Sequence, residues 1–109
     1  MMIYKNNLFE LMIETVNFLY PRLEFEVWIS DIGEDNGYGY TYFPDDGFPV
    51  IEIGIHVPIG VFPEILAHEI AHVIVGIEEG HGEKWDEEFS KIQDKWTELL
   101  DEKMTKDER

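Results

Sequence analysis

The chain has no cysteine. Neither a disulfide framework nor a thiolate metal site can be built, so any metal must be held by histidine, carboxylate or water. Basic residues are scarce, with 8 Lys and Arg against 24 Asp and Glu and a formal net charge of -16. A nucleic-acid binder needs a basic face to displace counterions from phosphates, and this balance argues against an autonomous one. An acidic surface instead favours solubility, cations or basic partners, and much of it reads as solvated face. No run approaches the ~20 apolar residues of a membrane span, so no membrane partner is expected. Met1 to Phe25 has neither the uninterrupted apolar core nor the small-residue cleavage site of a signal peptide, and a cytoplasmic location is the expectation.

The remaining composition is that of a folding domain. Over 109 residues, 44% are apolar and 14% aromatic, enough for one hydrophobic core and one domain spanning 1–109. Leu8, Leu11, Met12, Val16 and Leu19 recur at helical spacing from about Asn6 to Tyr20, and Pro21 closes the segment. Leu23, Phe25, Val27 and Ile29 alternate with polar or exposed positions and predict a half-buried strand ending at Ser30. The turn-rich Asp31 to Gly39 leads to a second strand carrying Tyr38, Tyr40 and Tyr42, and Pro49 to Val57 supplies a third. Three strands after one helix suggest a mostly antiparallel sheet. Should the third strand be an edge, Ile51 to Val57 could pair with an extended peptide.

A second helix is expected from about Phe62 to Val75, with Pro63 in its first turn and Gly76 at its stop. A third begins near Gly82 and places Trp85, Phe89, Ile92, Trp96 and Leu99 on one stripe. Asp101 to Arg109 lacks apolar periodicity and reads as a fraying terminus. The fold class is α+β, in the order α, β, β, β, α, α.

The chemistry concentrates between Pro63 and Phe89, where three of the four histidines lie. His68-Glu69-Ile70-Ala71-His72 has the form H-E-x-x-H, whose two histidines stand one turn apart on a single helical face and can offer nitrogens to one zinc ion. At ~100° per residue Glu69 falls at the edge of that face, where a general base belongs. Leu66, Ile70 and Val73 form an apolar back, flanked by Ala67 and Ile74. Burying such a helix costs free energy unless the polar groups are satisfied, and a metal would satisfy them. A third ligand is required. His81, between Gly80 and Gly82, is the first candidate, and Glu88, on the inner side of the third helix, is the alternative. His56 reads as a structural histidine. It and Tyr40 are weak candidates for stabilising a transition state.

HEIAH followed by GHGEKWDEEF resembles the SprT-like and WLM zinc metalloproteases, in which a third histidine follows the H-E-x-x-H helix. The element order and small size are also similar to the archaeal minigluzincins, in whose wider group a glutamate supplies the third ligand. The resemblance implies a compact zincin-like fold and a zinc-dependent peptidase. Its zinc-bound water would attack a peptide or protein substrate, with Glu69 taking the proton. It also implies a latent form in which the segment after Leu100 blocks the cleft, as a monomer or as a homodimer through that segment. A non-catalytic, zinc-stabilised protein-binding module is the competing expectation. The nucleic-acid-binding regions of the SprT-like proteases have no counterpart in this acidic chain.

Overall fold

A computed structural model of the chain describes residues 8–33, 37–76 and 80–107, with side chains from 9 to 102. The elements follow the expected order: α1 (Leu8–Leu19), β1 (Glu26–Ser30), β2 (Gly39–Tyr42), β3 (Val50–Gly54), α2 (Phe62–Val75) and α3 (Glu83–Asp107). Parts of two connections, 34–36 of the Asp31 to Gly39 turn and 77–79 of the link after Gly76, lie outside the described residues, as does the expected start of α1 at Asn6.

α1 buries Leu11, Met12 and Val16, and Thr15 joins them by returning its hydroxyl to the Leu11 carbonyl at 2.8 Å. The sheet departs from expectation. Its order is β1-β3-β2, with β1 parallel and β2 antiparallel to β3, so it is mixed rather than mostly antiparallel. Strand direction alternates along the chain as in a meander, but β3 inserts between its two predecessors. The centre suits β3, because Ile51 and Ile53 are both fully buried, whereas β1 and β2 expose Trp28, Tyr40 and Tyr42. β3 is therefore not an edge, and the expectation that Ile51 to Val57 receives a peptide fails because both neighbouring positions are filled. Alternation holds less well in β1, where Ile29 at the sheet's edge stays 54% exposed.

Gly39 is needed for the close approach of β2 to β3, since a Cβ there would lie 2.7 Å from the Glu52 carbonyl oxygen. α2 starts with Pro63 in its first turn, ends against Gly76, and buries Leu66, Ala67, Ile70, Ala71 and Val73 in the core. Trp85 and Ile92 of α3 complete that core, with Phe89 and Trp96 packed against it. α3 does not fray at Asp101 but continues to Asp107. Its last turns have no apolar stripe, and their helicity extends the run begun by the packed turns, where each further residue adds a hydrogen bond without a new nucleation cost. Among the described residues no helix is long and apolar enough to cross a membrane.

Candidate metal centre

The rotation of α2 about its axis is fixed by its apolar back, where Leu66 and Ile70 are 0% exposed. That rotation turns His68 and His72 out to the same side, their rings 5.1 Å apart. His81 arrives from beyond the Gly76 stop, directly after Gly80, whose φ of 60° lies in the left-handed region that a side chain resists. Its Nε2 lies 3.0 Å from His72 Nε2 and 3.1 Å from His68 Nε2. One ligand atom from each of the three lies within 4.8 Å of the others, and no further His or carboxylate joins the cluster among the described residues.

Hydrogen bonding cannot satisfy this arrangement. A neutral imidazole nitrogen either donates one proton or accepts through one lone pair, so His81 Nε2 cannot pair properly with two facing nitrogens. A cation can take all three lone pairs together. Nitrogens bound tetrahedrally at 2.0–2.1 Å would sit about 3.4 Å apart, a few tenths of an ångström from the observed separations. The donor set thus fits a divalent metal that accepts imidazole, and with no thiolate present the fit does not single out one such ion.

The imidazoles are also held ready to coordinate. Burial, then repulsion from His68 and His81, lowers the His72 pKa from 6.5 to about 4. His68 is lowered as well, by burial first, with Glu69 and Glu64 opposing and His81 reinforcing the shift. Both rings are therefore neutral at pH 7, the state that offers a lone pair.

Trp85 forms the wall behind the cluster. Its indole N–H donates to the His68 carbonyl at 3.2 Å, and its ring centroid is 4.7, 5.6 and 4.8 Å from those of His68, His72 and His81. Phe89 stacks on the Trp85 ring at 5.0 Å and an interplanar angle of 9°. One side chain on the expected core stripe of α3 thus also packs against all three histidines.

Glu69 is 6% exposed, with Oε2 3.8 Å from His68 Nε2 and Oε1 accepting a hydrogen bond from Thr41 Oγ1 at 2.7 Å. Thr41 is a site residue that no motif in the sequence marks. The signal was present, because alternation that turns Tyr40 and Tyr42 outward turns Thr41 inward. A cleft of about 320 Å³ lies between β2 and the cluster, lined by Gly39, Tyr40, Thr41, Phe43, His68, Glu69, His72, Gly80 and His81.

The other candidates have different partners. Glu88 is half-buried on the inner side of α3, its Oε1 bonded to Lys91 at 3.1 Å, and it is not among the converging ligands. The Tyr40 hydroxyl donates to Glu52 on the outer face of the sheet, and that bond raises its pKa above the usual value. His56 Nε2 meets the Gly37 carbonyl at 2.9 Å and its ring packs on Tyr38, tying the exit of β3 to the entry of β2.

Comparison of the chain with protein-family models, with curated proteins and with solved structures gives no match. A functional reading therefore rests on the site itself: an α+β domain in which two histidines of α2 and a third from the turn before α3 converge where a metal ion can be held.

Proposed function

We propose that the chain is a zinc-dependent metallopeptidase in which His68, His72 and His81 hold the ion and Glu69 is the general base. The observation that carries this reading is the pairing of a metal-competent three-histidine cluster with a buried carboxylate whose Oε2 stands 3.8 Å from His68 Nε2. When bound, zinc supplies a Lewis acid that polarises a carbonyl and acidifies water. Glu69 accepts a proton from the attacking water and returns it to the departing amine. Its side chain is screened from bulk solvent, so the proton stays within the site.

A peptide substrate is supported by where the cleft lies. It runs beside β2, which is an edge strand of the sheet among the described residues and offers a place for an extended chain to pair. The edge strand available to substrate is thus the one that carries Thr41. Latency through the C-terminal segment has weaker support. Leu100 lies 17 residues beyond Glu83 on an unbroken α3, roughly 26 Å along its axis at 1.5 Å per residue, far from the cleft of its own chain.

The test is cleavage of an unfolded protein by the zinc-loaded chain beside Glu69→Gln. The variant should keep its zinc and lose roughly 10²- to 10⁴-fold in kcat. A wild type that binds zinc and cleaves nothing would instead identify a zinc-stabilised binding module.

A further inference from the structure

The geometry points to Thr41 as the positioning residue of this site: its hydroxyl anchors Glu69 Oε1 and so leaves Oε2 as the oxygen that faces the three-histidine cluster. The inference rests on the peptidase reading for its catalytic consequence, but its structural content concerns the carboxylate alone.

Thr41 Oγ1 lies 2.7 Å from Glu69 Oε1 and 3.2 Å from the Glu69 carbonyl oxygen. A hydroxyl has one proton to give, and the shorter contact to a charged acceptor takes it. The two oxygens of Glu69 are thereby made unequal. Oε1 is tethered to the sheet, and Oε2 is directed toward His68 Nε2 at 3.8 Å. No other hydrogen bond to the Glu69 carboxylate is present among the described residues, so this contact opposes rotation of the side chain.

The placement of Thr41 is itself constrained. It pairs with Ile51, which is 0% exposed at the centre of the sheet, and its neighbours Tyr40 and Tyr42 point to the opposite face. A β-branched residue on a strand has little freedom at χ1, so the hydroxyl is a fixed donor rather than a searching one. A general base held in this way enters the reaction already aimed. Without the tether the carboxylate is free to swing toward a bound cation, where it would become a ligand and cease to be a base.

Two substitutions and two readouts test this on the full-length chain. Thr41→Val keeps the shape and removes the donor, whereas Thr41→Ser keeps the donor. Cobalt(II) replaces zinc for the first readout, because its visible absorption bands report the ligand set whether or not the protein is active. Thr41→Val should shift those bands, Thr41→Ser should not, and Thr41→Val combined with Glu69→Gln should return them to the wild-type positions. The second readout is peptide cleavage by the zinc form, where Thr41→Val should lower kcat roughly 10²-fold at constant KM and Thr41→Ser should restore most of it. Wild-type cobalt bands in Thr41→Val would overturn the inference, as would full kcat in that variant or a failure of Thr41→Ser to rescue. A band shift in a chain that cleaves nothing would support the positioning role while refuting the peptidase.

Discussion

His72 carries the clearest electrostatic signature in the molecule, and its consequence for the metal-free chain follows from linkage. Its folded pKa of about 4 lies below the ordinary 6.5, so between these values the unfolded chain binds a proton that the folded one refuses. The stability associated with a neutral His72 is full above pH 6.5 and is lost as pH falls toward 4; His68, lowered in the same direction, adds to the loss. Urea denaturation of the metal-free chain should therefore give a lower unfolding free energy at pH 5 than at pH 7.5, and His72→Gln should flatten the difference. Protons also compete with metal for these rings, so metal affinity should fall over the same range. At this scale the sequence was informative wherever chemistry follows from spacing, as it does for His68, Glu69 and His72 on one helix. For Thr41 it gave the inward face through strand alternation, but not that Glu69 of the helix would lie against it.

At the scale of the elements, α2 and the turn before α3 divide the building of the cluster. α2 fixes two imidazoles through its buried back, and the turn leading into α3 brings the third beside the Trp85 wall. The helices and all three strands were legible from period and punctuation. The strand order was not, since a run such as Val50 to Ile53 shows that a strand is buried without showing which strands flank it. That gap matters for function, because it decides that β2 and not β3 offers an edge beside the cleft. The length of α3 is not legible either, as its last turns contain charged residues with no stripe to mark them. Because that helix runs unbroken and carries its end far from the site, truncation after Leu100 should leave kcat/KM at the full-length value. An increase on truncation would show that the segment blocks the cleft, by whatever route.

For the molecule as a whole, the three-histidine cluster joins two segments separated by the Gly76 stop, and a bound ion would cross-link them. Binding to the folded state alone adds about 2.7 kcal/mol of stability at a free metal concentration a hundredfold above Kd. A net charge of -16 raises the local concentration of cations around the fold, but without directing them to one place. The convergence of three nitrogens does that. It is tested most directly by the zinc content of the full-length chain after exhaustive dialysis, measured beside His81→Ala and Glu88→Ala. The account predicts one zinc per chain in the wild type and in Glu88→Ala, with loss of stoichiometric metal in His81→Ala. Retention of zinc by His81→Ala together with its loss from Glu88→Ala would contradict it.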